Sequence, residues 1–453
     1  MSVIAAIATP LAPAGLGIVR LSGDGCIELA DRLFRPAGEG KVLTALPGYS
    51  ALYGHVYDAD GDIDDGVALV FRAPHSYTGE DVVELSCHGG VYLLQRVLRA
   101  ALDAGAQPAG PGEFTKRAFL NGKMDLTGAD AVMDLIGAQG DLAARTALAA
   151  REGAVFRVLS EVNASLLAAA AQMAAYVDYP DEDIPELHPD ALQTTLDGAA
   201  ATLSRLLATF DAGRVLREGV DTAIVGTPNV GKSTLMNRLL GYERSIVTRE
   251  AGTTRDVVEE TVRLGNVTLR LSDTAGIRQA DSEAETIGVK RAWDRLQNAS
   301  LILAVFDGSA ALTADDRAIA EKAAGGNAIA VLNKADCPPE DMSFLHTRFS
   351  RVVVLSAKTG AGLDDLIREI EDATGVASLQ GGEAVLSTER QRACARRALE
   401  AVEQALDALQ SGLTPDVIAV SVESAIGAIA ELTGERASEA VVGEVFARFC
   451  VGK

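Results

Sequence analysis

Aromatic residues are scarce in this chain of 453 residues, at 4%, with a single Trp, and no RRM or KH signature accompanies them. Cysteine is equally thin. Cys26, Cys87, Cys337, Cys394 and Cys450 are scattered without CxxC spacing, which excludes a disulfide framework and a zinc ribbon. Basic residues are outnumbered, 41 against 63 acids, and the net charge of −22 argues against non-specific adhesion to nucleic acid or to anionic membranes. Any RNA partner must be met by local basic patches. Two exist: Arg390, Arg392, Arg396 and Arg397, and the smaller set Lys116, Arg117 and Lys123, although ordinary helix solvation explains both as well. A membrane span is not evident, because the first twenty residues lack a basic n-region and Ala168 to Ala175 is too short and too Ala-rich. The chain reads as cytoplasmic, with no membrane association.

What is present fits a soluble multidomain protein: 48% hydrophobic and 23% charged residues over a length that favours about two to four domains. Residues 1–120 mix β-rich runs (Gly17 to Leu21, Val67 to Phe71, Val82 to Ser86) with turns and one helical pattern from Val91 to Ala104, the texture of an α+β domain. From Ala129 to Val177, apolar residues such as Leu148, Val155, Leu159, Val162, Leu166, Ala170 and Met173 recur at helical spacing, predicting one long helix. A second helical stretch runs from Pro189 to Arg214, and three more follow Ser387. Between them, residues 217–376 alternate strands and helices as a doubly wound α/β domain does. The expected partition is therefore 1–120, then a helical domain in two pieces, 121–216 and 377–453, with 217–376 inserted into it.

The inserted block carries chemistry. Gly226-Thr-Pro-Asn-Val-Gly231-Lys232-Ser233 follows an apolar strand and opens a helix. In that context G-x4-G-K-[ST] is a phosphate loop: backbone N–H groups and a helix N-terminus face the phosphates, Lys232 reaches the outer ones and Ser233 ligates Mg²⁺. Asp273-Thr-Ala-Gly276 ends a later strand, where the carboxylate can hold Mg²⁺ through water and the Gly276 N–H can sense a γ-phosphate. Asn333-Lys334-Ala335-Asp336 and Ser356-Ala357-Lys358 each follow a strand. Asp336 can accept from guanine N1–H and its amino group, a pairing adenine cannot offer, so the base should be guanine. Together these elements resemble the Ras-like translation-factor class of GTPases, and Thr254 in Gly252 to Asp256 matches the Mg²⁺-ligating threonine of its switch loop. Ile277 stands where such proteins place a water-orienting Gln, so another group must orient water. Asp281, Glu283 and Glu285 are the acids at hand, and Asn229 either faces a monovalent cation or only shapes the turn.

Further stretches extend the resemblance to the whole chain: Gly17 to Gly23, Thr78 to Leu85, His88-Gly-Gly90, Pro111 to Lys123 and the terminal Phe449-Cys450-Val451-Gly452-Lys453. With the G motifs they resemble the MnmE (TrmE) family of tRNA uridine-modification GTPases. That resemblance implies a multidomain α/β and α+β protein: an N-terminal α+β domain similar to folate-binding folds, which dimerises, a discontinuous helical domain, and an inserted Ras-like P-loop G domain. It implies GTP/GDP contacts at Asn229, Val230, Gly231, Lys232, Ser233 and Thr234, at Thr248, Arg249, Glu250, Ala251, Gly252, Thr253 and Thr254, at Asp273, Thr274, Ala275 and Gly276, and at Asn333, Lys334, Asp336, Ser356, Ala357 and Lys358. Mg²⁺ would be held by Ser233 and Thr254, and K⁺ by Asn229, Thr248, Glu250 and Thr253, with Glu285 orienting the attacking water. A tetrahydrofolate derivative would meet Arg20, Glu84, Lys123 and Lys453, and Cys450 would take part in, or position, the one-carbon chemistry. The implied partners are a second copy of the chain, tRNA, and an FAD- and NADH-using protein, MnmG, in a heterotetramer or larger. The joint product is a carboxymethylaminomethyl or aminomethyl group on carbon 5 of the wobble uridine. A ribosome-assembly GTPase of the Era or EngA kind would share the G motifs but carry a KH-type domain or a second G domain, and the sequence has neither.

Overall fold

The structure is a computed structural model and describes residues 1–178, 188–242, 260–271 and 299–453. By internal contacts the chain divides into two units, Met1–Met133 with Gly427–Lys453, and Asp134–Ile426.

The first unit is built on a seven-stranded sheet in the order β3-β4-β5-β6-β2-β1-β7. Its strands are β1 (Ile4–Ile7), β2 (Ala14–Ser22), β3 (Phe34–Pro36), β4 (Ser50–Asp58), β5 (Gly61–Phe71), β6 (Val82–Gly89) and β7 (Gln107–Pro108). All pairings are antiparallel except β1 with β7. Alternation with period two puts Val19, Leu21, Val56, Ala68, Val70, Val83 and Leu85 on one face, where they bury against Ile27 of helix Cys26–Asp31 and Leu94 and Val97 of helix Val91–Asp103. The register sets Ile18, Arg20, Val67, Leu69, Glu84 and Ser86 on the other face, with Tyr53 beside Val67. Among the described residues no helix covers Tyr53 or Val67, which are exposed.

A smaller core closes the same unit. Leu126, Ala129 and Val132 of helix Leu126–Gly137 bury with Val442, Phe446 and Phe449, which lie in and just after helix Glu439–Ala447. This anchors the chain's end. Val451 then bridges to Pro111 in antiparallel fashion.

In the second unit a six-stranded sheet runs β13-β12-β11-β8-β10-β9, with β8 (Val220–Val225), β9 (Glu260–Leu264), β10 (Val267–Leu271), β11 (Leu301–Asp307), β12 (Ala328–Asn333) and β13 (Val352–Val354). Only β9 is antiparallel, to β10. The uninterrupted apolar runs of β11 and β12 follow from burial on both faces. Helices Lys232–Tyr242 and Leu363–Ala373 cover one side through Leu235, Leu239, Leu366 and Ile370, and helices Ala314–Ala323 and Ser343–Arg348 cover the other through Ala320, Ala323 and Leu345. The doubly wound reading of this block is the fold observed.

The single long helix expected from Ala129 to Val177 is three: Leu126–Gly137, Asp141–Arg151 and Ala154–Asp178. Extended backbone at Gly140 and a left-handed Gly153, φ +84°, interrupt it, and the apolar periodicity continues across breaks that spacing alone does not register. Leu148 is accordingly exposed, whereas Val155, Leu159, Val162, Leu166, Ala169 and Met173 form the buried stripe of the third helix. That helix is also long and apolar enough, by length and composition, to cross a membrane, which the shorter count from Ala168 did not anticipate. Its buried face lies against helix Pro189–Ala208, which in turn packs on Glu389–Gln410.

Arg117 corrects a second expectation. It is 5% exposed, and its guanidinium bonds Glu80 at 3.1 Å, Glu113 at 3.0 Å and the Ser2 carbonyl at 2.8 Å. Glu80 also accepts from the Ser22 hydroxyl at 2.8 Å. Arg117 therefore belongs to an internal ion-pair network and offers nothing to RNA. Removing one member of a buried pair strands the other charge, so Arg117→Met is expected to lose about 3–5 kcal/mol of stability, while the neighbouring Lys116→Ala stays within about 0.5 kcal/mol of the parent. Urea denaturation of both variants checks this; an Arg117→Met chain as stable as the parent would contradict the network.

Candidate nucleotide site and a second cluster at the chain terminus

The phosphate loop leaves β8 at Val225 and enters helix Lys232–Tyr242. Three of its residues have left-handed or related backbone: Gly226 (φ +155°), Asn229 (φ +65°) and Gly231 (φ +99°). A side chain at Gly231 would be strained by that φ, and its Cβ would sit 2.1 Å from Asn333 Nδ2. Lys232 folds over the loop, its Nζ donating to the carbonyls of Gly226 (2.8 Å) and Thr227 (2.7 Å). Burial pushes its amine below the usual lysine range. The arrangement puts a cation over a ring of backbone at a helix N-terminus, a cradle suited to phosphate.

The base-reading loops converge on the same place. Asn333, buried at the end of β12, donates from Nδ2 to the Val230 carbonyl at 2.8 Å and accepts at Oδ1 from the Ala357 N–H at 2.9 Å. One side chain thus joins the phosphate loop to Ser356-Ala357-Lys358. Asp336 accepts from the Ser356 hydroxyl at 2.7 Å, which holds its carboxyl below the usual carboxylate range, so it stays ionised across the neutral pH range and can accept from two N–H groups of a base. Lys334, with φ +67°, reaches Asp307 at 2.5 Å. Arg238 of the helix behind the phosphate loop donates to the carbonyls of Ala357, at 3.1 Å, and Lys358.

Of the nucleotide contacts expected, Asn229 to Thr234, Asn333, Lys334, Asp336 and Ser356 to Lys358 lie in these converging loops and their flanks. Thr248, Arg249, Glu250, Ala251, Gly252, Thr253, Thr254, Asp273, Thr274, Ala275, Gly276 and Glu285 lie outside the described residues. Two participants lie outside the motifs, Asp307 and Asp316, and Asp316 meets the hydroxyl of Thr227, a phosphate-loop residue not among the expected contacts, at 2.7 Å. Thr313-Ala-Asp-Asp316 is a capping-box pattern legible in the sequence, but nothing local indicates that its acid would reach the phosphate loop.

In the first unit, Arg20 and Glu84 face each other on β2 and β6 and pair at 2.8 Å, both half-buried. The Arg20 guanidinium lies 5.9 Å from the Tyr77 ring centre and 5.6 Å from that of Phe114, and donates to the Gly452 carbonyl at 3.2 Å. The terminal residues are pinned rather than frayed. Phe114 N–H donates to the Lys453 carbonyl at 3.2 Å and Gly112 N–H to that of Cys450 at 3.3 Å, and Gly452, φ +97°, lies so close to β1 that a Cβ would be 2.4 Å from the Ile7 carbonyl. Cys450 is exposed, and exposed Lys123 donates to the Pro74 carbonyl at 3.0 Å. Arg20 pairs with Glu84 and lies beside Phe114, whose N–H holds the Lys453 carbonyl, whereas the Lys123 side chain reaches the Pro74 carbonyl instead. On helix Glu389–Gln410, Arg392 stacks 4.5 Å over Phe210 and pairs with Glu389, leaving Arg396 and Arg397 as the exposed members of that basic set.

The sequence matches the family model for the GTP-binding protein TrmE N-terminus over residues 3–123 and that for the MnmE helical domain over 126–450. It is 42% identical to the tRNA modification GTPase MnmE of Symbiobacterium thermophilum and to that of Chloroflexus aurantiacus, with 99% of each chain covered in both cases. The chain belongs to the MnmE family of tRNA modification GTPases. Among solved structures, the G domain of the FeoB iron transporter of T. maritima covers 34% of this chain and 98% of that one, at 26% identity and a TM-score of 0.26. The converged loops are the candidate place for the GTP or GDP that a GTPase of this family binds. With guanine in these loops Asp336 would supply two charge-assisted acceptors, each worth about 1.5–3 kcal/mol, so Asp336→Ala is expected to weaken GDP binding by about 100-fold or more. Titration with a fluorescent GDP analogue measures it, and an unchanged Kd would remove Asp336 from base recognition.

Proposed function

We propose that this chain is a potassium-dependent GTPase that works with an FAD-containing partner of the MnmG type to install a carboxymethylaminomethyl or aminomethyl group on carbon 5 of the wobble uridine, using a folate one-carbon donor. The observation that carries the nucleotide half is the buried Asn333 side chain, which ties the phosphate loop to the base-reading loops. Membership in the family supports the tRNA half.

In this reading Ser233 and Thr254 would hold Mg²⁺ and Asn229, Thr248, Glu250 and Thr253 would hold K⁺, and the two ions would supply positive charge to the phosphates, K⁺ in the role that an arginine plays in other GTPases. The exposed Asn229 at φ +65° is compatible with that role. Glu285 orients the attacking water, taking the place that Ile277 cannot fill. Lys232 and the loop amides position the phosphates, and Asp336 selects guanine.

The cluster around Arg20 supports the folate assignment. A guanidinium held between two aromatic rings and a carboxylate in a half-buried setting can pair with the polar edge and carboxyl groups of a pterin–glutamate. Lys123 and Lys453 would add positive charge, and the exposed Cys450 would position or take part in the one-carbon step. The part of the first sheet at β4 and β5, where Tyr53 and Val67 are exposed, suits pairing with a second copy. Domain boundaries near residues 120, 216 and 376, and a cytoplasmic location, belong to the same reading.

Steady-state GTP hydrolysis in KCl and in NaCl at equal ionic strength tests the catalytic half: potassium should stimulate the parent strongly and Glu285→Ala should lose most of that rate. Equal rates in the two salts would exclude the cation-assisted mechanism. For the modification half, Cys450→Ser is expected to reduce uridine modification in a reconstituted system while leaving GTP hydrolysis in place. Normal modification by that variant would take Cys450 out of the chemistry.

A further inference from the structure

The connection from β11 to helix Ala314–Ala323 lies outside the motifs by which the nucleotide site is recognised, yet it touches both halves of that site. At its start Asp307 holds Lys334 at 2.5 Å, and Gly308 N–H donates to the Asn333 carbonyl at 2.8 Å. At its end Asp316 accepts from the Thr227 hydroxyl at 2.7 Å, across 89 residues of sequence. We infer that Thr227 and Asp316 form a positioning pair, which fixes the entry of the phosphate loop and so preorganises it for the nucleotide's phosphates.

Three features carry this. Asp316 is 6% exposed, and burying a carboxylate is costly unless its oxygens are satisfied. Its Oδ2 accepts from Thr313 N–H at 3.0 Å and Thr313 Oγ1 at 2.7 Å, completing the capping box of the helix. With one oxygen locked in the cap, the other is a rigid acceptor aimed at the loop. Thr227, for its part, is held twice: its hydroxyl goes to Asp316, while its carbonyl accepts from Lys232 Nζ at 2.7 Å. Releasing the hydroxyl frees the peptide that anchors the lysine. The Asp316 charge also favours the protonated form of Lys232, against the effect of burial.

Neither residue is proposed to touch the reacting atoms. Their effect passes through the loop, which contacts phosphate in the ground state as well as in the transition state, so the loss should fall on binding rather than on kcat. The inference rests on the reading of this loop as the GTP site, and binding of GDP by the parent chain tests that reading separately. Affinity for a fluorescent GDP analogue, with KM and kcat for GTP, would be measured for Thr227→Val, Thr227→Ser, Asp316→Ala and the double variant Thr227→Val/Asp316→Ala. A hydrogen bond to a charged acceptor predicts that Thr227→Val raises Kd and KM about tenfold or more, with kcat changing much less. Thr227→Ser, which keeps a hydroxyl, should restore parental affinity, and the double variant should bind no more weakly than Asp316→Ala alone. Parental affinity in Thr227→Val, or losses that multiply in the double variant, would overturn the pair. Should Asp316→Ala fail to fold because the helix cap is lost, the comparison of Thr227→Val with Thr227→Ser decides by itself. A parent chain that binds no GDP would refute the site and this inference with it.

Discussion

The amide of Asn333 is buried and engages both of its polar ends with other loops, one at Val230 and one at Ala357. The nucleotide site depends on that arrangement. A buried amide left without partners costs about 1–3 kcal/mol per group, so the phosphate loop and the Ser356 loop cannot drift without breaking bonds that water is not there to replace. Gly231 is dictated by the same contact, because any Cβ would occupy the place of the amide nitrogen. A phosphate cradle, a base reader and the strand that carries Asn333 are thereby made into one rigid object, and a rigid object is what lets a nucleotide be recognised at both ends at once.

The first unit is organised on a comparable principle with a different bond. Arg20 sits between Glu84, two aromatic rings and the Gly452 carbonyl, so the last residues of the chain complete the surroundings of a strand near its beginning. The anchoring is apolar first: Phe446 and Phe449 fix the preceding helix in the small core, and Gly112 admits Phe449 because its own Cβ would stand 2.8 Å from it. Only then do the backbone bonds at Pro111, Gly112 and Phe114 guide the final residues along β1. A terminal peptide is ordinarily mobile; here burial and pairing of its backbone remove that freedom and leave the Cys450 side chain exposed at a defined place.

Much of this was legible beforehand, and the reasons differ by element. The apolar runs of β11 and β12 and the glycines of the phosphate loop are local signals, since a strand buried on both faces and a loop with positive φ each admit few residue types. Apolar periodicity from Ala129 persists through Gly140 and Gly153, and because spacing is indifferent to a break in the backbone it predicts one helix where the structure has three. Arg117 differs from its sequence expectation for a related reason. A basic residue flanked by Lys116 looks like part of a patch, and only the approach of Glu80, Glu113 and the Ser2 carbonyl turns it inward.

Sequence by itself determined the chemistry available: a phosphate-loop motif, an aspartate placed after a strand as guanine readers are, a net charge of −22 that disfavours broad electrostatic adhesion to nucleic acid, and a family membership carried by motifs along the whole chain. Tertiary structure alone decided which groups are coupled. Thr227 lies 89 residues from Asp316, Arg20 lies 432 from Gly452, and Asn333 lies 103 from Val230. Contacts at such separations are set by how strands register and helices pack, and no local propensity encodes them.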